Sequence, residues 1–572
     1  MRISLSSTVK IIGILGISVL LWMGIVLYKF LFLVPHIPSL TGFPFWEKTY
    51  LILLQNDAEL RPTGGFISSF GELTFKSGLP VSFVVKDVFA LDDEPTMTYS
   101  EPPYPMGELL KNEFYKGYSF RDANWSPDFP TAAKELSTMY KKIYPKKNIS
   151  GVVALNFHFI EEIMKLYGPM SINGKPISSE TLFSTLQYEQ NNIDRHDKES
   201  LKNRKSFLKE MLSPLMANVT FNLGKWRELT ALTFHAFAEK DLMFYTDASD
   251  LQRLFEEKQM ANIFPKPSDN SDIFAVVLSN LGGMKSDRYI QRDISYTVKM
   301  IEEGDLSGKE HLQGQYVLHL THMGGYNAPL SHDYKGYARI YLPKDTTITN
   351  EPKDAKVFSE LGYTVVGIPL AMPAGGEQII QLTTALPDRV LKNESYTIQT
   401  YGQSGLENTH THFAFQAPVD RQLTSTNKKL EVRENVGFFE NTPFANETLM
   451  LQVLPDTTPP RITLQEFADY NKLVLQFNEP VFKSDCEDMS NYEIFDKDIN
   501  VPEITNRPRI RIIKCKDREA TLYSVNIRTQ YNEAFGVRVR NIRDMHNNII
   551  SPNPMTITTY QRFEKDKGAP AK

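Results

Sequence analysis

Cysteine is scarce in this chain, and so is any excess of one charge. Only Cys486 and Cys515 occur among 572 residues, which excludes a disulfide-dense scaffold and a cysteine-rich metal module. One bridge between them can form, although their separation in sequence does not establish that the Cβ atoms meet. Charge is nearly balanced, with 63 basic and 68 acidic residues for a net −5, and no basic stripe interrupts the mixture. That argues against a nucleic-acid partner. Gly-x-Ser-x-Gly, His-Glu-x-x-His and Walker-type loops are also missing, which removes the sequence case for a serine hydrolase, a zinc protease or a nucleotide hydrolase.

Long apolar runs are few as well. One segment, residues 11–33, is apolar except for Lys29 and is long enough to cross a bilayer core. No small-x-small cleavage site follows before Pro35, so it reads as an uncleaved signal anchor. Arg2 and Lys10 on its N-terminal side put the N-terminus in the cytoplasm and the bulk of the chain outside, as in a single-pass protein of the cell membrane. The Lys29 stem can snorkel to the outer interface.

The remaining length has room for several domains. The pattern predicts an α/β head followed by two all-β sandwich domains, behind an N-terminal transmembrane helix. After the stub and anchor at 1–34, strand and helix signals alternate between residues 46 and 296. Residues 50–54 and 151–155 read as buried strands. Ala132, Ala133, Leu136 and Tyr140 form one helical stripe; Ile160, Ile163, Met164 and Tyr167 form a second, stopped by Gly168-Pro169. Phe207, Leu208, Met211, Leu212 and Leu215 form a third. From 297 to 455 short alternating runs take over, at 315–322, 337–342, 377–382 and 412–416, which predicts the first sandwich. Pro455-Asp456-Thr457-Thr458-Pro459-Pro460 is a stiff linker. Residues 456–563 carry the second sandwich, with strands at 461–465, 472–477, 509–513, 521–527 and 537–540, before a polar tail at 564–572.

Two turns stand out as candidate sites. The strand at 50–54 opens into a segment holding Arg61 and the pair Gly64-Gly65, and the apolar run 273–278 opens into Asn280, the pair Gly282-Gly283 and Lys285. Glycine pairs permit positive φ and close backbone approach, and successive turn amides beside a cation make an anion cradle. Tight structural turns need the same residues, so both readings stand. The first makes Arg61, Gly64, Gly65, Asn280, Gly282, Gly283 and Lys285 one ligand site at an end of the α/β sheet, joined by Arg121 and Asp122. Asp92 and Asp93 are candidate metal carboxylates or solvated loop residues. Asp128, just before Phe129-Pro130, reads as a helix cap. His410 and His412 share a strand face, as metal ligands can, with no cysteine or neighbouring carboxylate to complete a set.

Residues 56–66 (NDAELRPTGGF), 122–130 (DANWSPDFP) and 280–287 (NLGGMKSD) resemble hallmark motifs of the bacterial domain of unknown function 4012, over roughly residues 46–455. The resemblance implies a membrane-anchored envelope protein. The order of elements is more distantly similar to the LytR-CpsA-Psr phosphotransferases, which attach glycopolymers from polyprenyl-pyrophosphate carriers to the cell wall. Residues 151–170 (GVVALNFHFIEEIMKLYGPM) look like their strand, helix and Gly-Gly-Val segment, and Asn203-Arg204-Lys205 with its helix looks like their Arg-Gln-Gln helix. Where that family carries Pro-Arg-Asp this chain reads Phe89-Ala90-Leu91-Asp92-Asp93, and Tyr-Val-Arg is matched by Tyr188-Glu189-Gln190. Two arginines expected on a pyrophosphate are therefore missing. The resemblance implies either a transferase using Mg2+ on a lipid-linked polymer, or a scaffold that binds cell-wall glycan or polyprenyl-linked polymer; the missing arginines favour the scaffold. Residues 457–462 (TTPPRI) and 475–481 (LQFNEPV) resemble bacterial immunoglobulin-like surface modules, which act as spacers or adhesive units.

Overall fold

The structure, a computed structural model, describes residues 28–91, 94–110, 115–172, 175–191, 214–215, 218–219, 222–302, 310–418, 421–433, 435–441, 446–469, 472–496, 509–525 and 534–560. Strand β1 (Glu47–Asn56) is buried from Thr49 to its end, as a strand covered on both faces must be. It pairs antiparallel with β2 (Phe66–Lys76), which pairs with β3 (Leu79–Asp87). On its other side it runs parallel to β4 (Gly151–Asn156), which pairs antiparallel with β5 (Leu242–Thr246). Different helices cover the two faces. Helix α1 (Phe129–Ile143) begins where the Asp128 carboxylate accepts from the Thr131 amide, and it lays Ala133, Leu136 and Tyr140 with Leu51, Leu53 and Phe70 in one core. Helix α2 (Phe157–Tyr167) puts Ile160 and Met164 in a second core with Tyr50, Ile52 and Leu54. Successive residues of β1 thus feed opposite cores, as strand geometry requires. The stripe expected at 207–215 and the segment 203–205 lie outside the described residues, apart from Pro214 and Leu215.

The run at 273–278 belongs elsewhere than its pattern suggested. Strand β6 (Asp272–Asn280) is buried along its whole length, but it pairs with Tyr334–Leu342 and Ser395–Thr400, not with the head sheet. An apolar run covered on both faces looks the same at the centre of a sandwich and in a parallel sheet. Against this sheet lies another that runs through Glu377–Ala385, Glu310–His322, Ile290–Glu302 and Thr409–Gln416. Phe274 of one sheet meets Tyr296 of the other at 5.5 Å between ring centroids, and Tyr296 stacks on Tyr316 at 3.9 Å. Buried Asp272 accepts from the hydroxyls of Tyr296 and Tyr396, tying the layers together. The boundary expected between 296 and 297 therefore falls inside a strand, and head and first sandwich form one compact unit.

The second unit includes residues 417–424, 432–436 and the described part of the chain from 452 onward. It is a small sandwich. Ile462–Asp469, Lys472–Phe477, Glu519–Val525 and Arg509–Lys516 make one sheet, and Tyr492–Asp496, Ala534–Val539 and Met555–Tyr560 make the other. Leu473, Leu475, Phe477, Leu522, Val537 and Val539 fill the space between them. Cys486 and Cys515 form a disulfide with Cα atoms 6.1 Å apart.

Residues 1–27, which include most of the expected transmembrane helix, and the tail at 564–572 lie outside the described residues. Among those described, no helix is long and apolar enough to cross a membrane. The end of the apolar run is visible: Tyr28–His36 is a 3-10 helix, and its Phe30, Phe32 and Leu33 pack on a head cluster containing Phe237, Leu251 and Phe255.

Candidate functional site

Ligands in α/β sheets collect beyond the ends of parallel strands, and here β1 and β4 end side by side, with Gln55 opposite Asn156. The turn after β1 folds back on itself, with the Gly64 amide donating to the Arg61 carbonyl and the Phe66 amide to the Glu59 carbonyl. Gly64 has φ 130°, and a Cβ there would lie 2.2 Å from Asn156 Oδ1. From the sandwich, Gly405 approaches so closely that its Cβ would lie 2.3 Å from the Gly64 carbonyl oxygen. Glycine is needed where one loop packs into another.

Arg61 follows the chain inward and is 1% exposed. Its Nη1 donates to the Leu60 carbonyl at 3.2 Å and to the Asn280 carbonyl; its Nη2 donates to Glu59 Oε1 at 3.2 Å and lies 3.9 Å from Asp122 Oδ1. Asn280 returns the contact, its amide donating to the Leu60 carbonyl at 2.9 Å and its side chain to Asp287 Oδ2 at 2.7 Å. Asp287 also accepts from the Leu60 amide at 3.0 Å and pairs with buried Arg292 at 2.6 Å. The structure thus brings the two turns together, but from different sheets and as a sealed polar joint. The reading of Arg61 as a ligand cation is corrected for that reason: internal oxygens occupy both of its terminal nitrogens. Gly283 and Met284 of the second turn are exposed and Lys285 is half-buried. Arg121 lies against the rings of Phe89 and Tyr115, with Nε 3.4 Å from Asp122. Burial pushes the Asp122 carboxyl up, while Arg61 and Arg121 oppose the shift. Asp92 and Asp93 lie outside the described residues. His410 is exposed and His412 lies 3.5 Å from Glu440.

The partly exposed groups at this strand end, His158, Glu161, Glu162 and Arg288, are not among the candidate residues of the two turns. A helix start leaves amides without partners. Asn156 precedes α2 without capping it through its side chain, and Asp57 does so from the turn after β1, accepting from the His158 amide at 3.1 Å. The His158 ring, 32% exposed, places Nδ1 2.8 Å from Asp241 Oδ2 and Nε2 3.7 Å from Glu162 Oε1. Asn156 Nδ2 holds Asp241 Oδ1 at 3.1 Å. Beside them Arg288 donates to Glu161 at 2.8 Å and stacks over Phe183 at 3.9 Å. The junction Asn156-Phe157-His158 was visible in sequence as a strand running into a helix, whereas nothing local marked Asp241.

Hydrogen bonding to Asp241 raises the His158 imidazole to about 9, against its burial. Burial raises Asp57 to about 8, aided by Glu407 and Asp241 and opposed by the His158 amide and Arg288. Burial thus favours the protonated form of Asp57, and the hydrogen bond to Asp241 favours the imidazolium form of His158 above it. A raised histidine stabilises the fold fully below its unfolded value of 6.5, and that contribution is lost as pH rises through about 9. An NMR titration of the His158 ring should give a midpoint near 9, falling toward 6.5 in Asp241→Asn. An unshifted midpoint in the wild-type chain would exclude the pair.

Residues 47–190 match the family model described as a protein of unknown function (DUF4012), which supports the resemblance carried by the two motifs at 56–66 and 122–130. A comparison with curated proteins gives no match. Among solved structures, the N-terminal part of the bacterial S-layer protein SbsC is 13% identical with a TM-score of 0.16, over 18% of this chain and 23% of that one. The M1 zinc metallopeptidase of Deinococcus radiodurans is 15% identical with a TM-score of 0.16, over 33% of this chain and 47% of that one. This chain thus spans less than half of either protein, and likeness at that level carries no argument about fold or activity.

Proposed function

We propose that the protein is a membrane-anchored, extracytoplasmic protein of the bacterial cell envelope whose head binds cell-wall glycan, and that it does not transfer polymer from a polyprenyl-pyrophosphate carrier. The observation that carries this reading is the fate of the cations. Pyrophosphate needs several exposed guanidinium or ammonium groups. Arg61 is sealed inside the joint, and the arginines of the LytR-CpsA-Psr motifs are replaced in the sequence. At this strand end His158, Glu161 and Glu162 are partly exposed above buried Asp241, with Arg288 already paired to Glu161 and Lys165 to Glu162. Carboxylates accept from sugar hydroxyls and repel phosphates, so a polyhydroxylated ligand fits this surface better than an anionic one. Anchoring is supported by the apolar run at 11–33 and by Phe45 and Trp46, 80% and 62% exposed, since aromatic side chains favour the membrane interface. The C-terminal unit, an immunoglobulin-like module in this reading, acts as a spacer.

Binding of a fluorescent, soluble cell-wall glycan fragment to the full chain in detergent tests the idea. Saturable binding should weaken roughly 10- to 100-fold in His158→Ala and Glu162→Gln, the range for loss of a charged hydrogen bond. A polyprenyl-pyrophosphate analogue should not compete. Tight binding of that analogue with indifference to glycan would put the Mg2+-dependent transferase in its place. Protease protection of the bulk of the chain in intact cells would remove the extracytoplasmic location.

A further inference from the structure

We propose that Asp456, Glu479, Asp544 and His546 form a site for one divalent metal ion of the zinc or manganese type in the C-terminal unit. The four residues come from three stretches of chain: Asp456 from the start of the Pro-rich segment, Glu479 from the turn after Lys472–Phe477, and Asp544 and His546 from the loop at 541–548 after Ala534–Val539. One ligand atom from each lies within 4.8 Å of the others. The loop is built to hold this arrangement. Asp544 Oδ1 accepts from the amides of His546 at 2.7 Å and Asn548 at 2.9 Å, and Asp544 Oδ2 accepts from Asn548 Nδ2 at 2.8 Å. Asn548 Nδ2 also donates to the Asp456 carbonyl at 2.9 Å, which ties the first ligand to the loop that carries the last two.

A second observation points to a missing ligand. The His546 side chain is 7% exposed, and both ring nitrogens are buried without a hydrogen-bond partner. Buried polar atoms in folded proteins are nearly always bonded, so an imidazole left in this state needs an explanation. Its Nδ1 faces Asp456 Oδ2 at 3.3 Å and Asp544 Oδ1 at 3.9 Å. Among the described residues no lysine or arginine nitrogen pairs with the three carboxylates. Like charges gathered beside an unbonded imidazole are what a bound cation resolves, because it takes a lone pair from each.

The donor set selects the ion. Zinc accepts imidazole nitrogen and carboxylate oxygen in four-coordinate sites, and manganese accepts the same mixture. Calcium takes six to eight oxygens and leaves the imidazole without a role. Bound there, the ion ties the segment at Asp456 to the loop at 541–548 and closes that end of the unit.

Calorimetric titration of the full chain, stripped with chelator, tests the site with ZnCl2, MnCl2 and CaCl2 as probes. One zinc or manganese equivalent should bind saturably, and Glu479→Gln and His546→Gln should each weaken it at least about tenfold with an unchanged circular dichroism spectrum. Cobalt(II) should give visible absorption bands that Glu479→Gln removes, which decides the matter even if His546→Gln does not fold. Absence of saturable binding by the folded wild-type chain overturns the proposal. So does equal affinity in the variants, or a calcium site that survives loss of His546.

Discussion

Arg61→Met should unfold the head at a lower urea concentration than the wild-type chain, with a loss of about 3–5 kcal/mol. The size follows from what the guanidinium leaves behind. Methionine matches much of the stem but provides no donor for the Asn280 carbonyl, and it leaves Glu59 and Asp122 buried beside each other without the cation they share. Asp122 is already pushed up by burial, and removing Arg61 takes away one of the two cations that oppose that shift, so its carboxyl should rise further. Arg61→Lys should lie between the two, since it restores charge without the fork that reaches two turns at once. Urea unfolding followed by tryptophan fluorescence measures all three proteins. A loss under about 1 kcal/mol in Arg61→Met would show that water replaces the guanidinium, which requires an opening at the joint and would revive the ligand reading of this turn.

The two readings of the Gly-Gly turns could not be separated in sequence, because an anion cradle and a buried joint call for the same residues. Backbone amides, glycines and a cation serve both; the difference is what fills the concavity. Here the loop at 401–408 does so, with Gly405 against Gly64 and Gln403 Nε2 donating to the Arg61 carbonyl at 3.1 Å, more than 300 residues away along the chain. No local pattern encodes a partner so distant. The same limit hid His158 and Asp241, which lie 83 positions apart.

Elements whose burial alternates were easier to read. The strand expected at 472–477 is the observed Lys472–Phe477, where inward Leu473, Leu475 and Phe477 alternate with less buried neighbours. Helix α1 was legible from both its stripe and its cap, since Asp128, Pro130 and the spacing of Ala133, Leu136 and Tyr140 all indicate the same element. β6 lacked any such alternation. Its apolar residues identified a buried strand but not the sheet that buries it, so the expected head acquired a strand of the sandwich and the domain boundary moved with it.

Replacing Cys486 by alanine and Cys515 by serine should destabilise the C-terminal unit by about 3–4 kcal/mol while leaving it folded. The bridge joins residues 29 positions apart, and cutting it returns that loop's freedom to the unfolded chain. What remains is sufficient to place the segment: Arg543 still grips Asp485 through Nε at 2.7 Å and Nη2 at 3.0 Å, and Asn491 Nδ2 still donates to the Asp485 carbonyl at 2.9 Å. Alanine suits position 486, where the side chain is fully buried among Leu475, Tyr492 and Ile513, whereas position 515 is partly open and accepts a hydroxyl. Urea unfolding with and without reductant provides the comparison. The wild-type C-terminal transition should move to lower urea on reduction and the double variant should not respond. The head transition should stay fixed in every case, because both cysteines of the chain lie in the C-terminal unit. A wild-type transition indifferent to reductant would mean that packing around Cys486 alone holds the segment and that the bridge adds nothing to the fold.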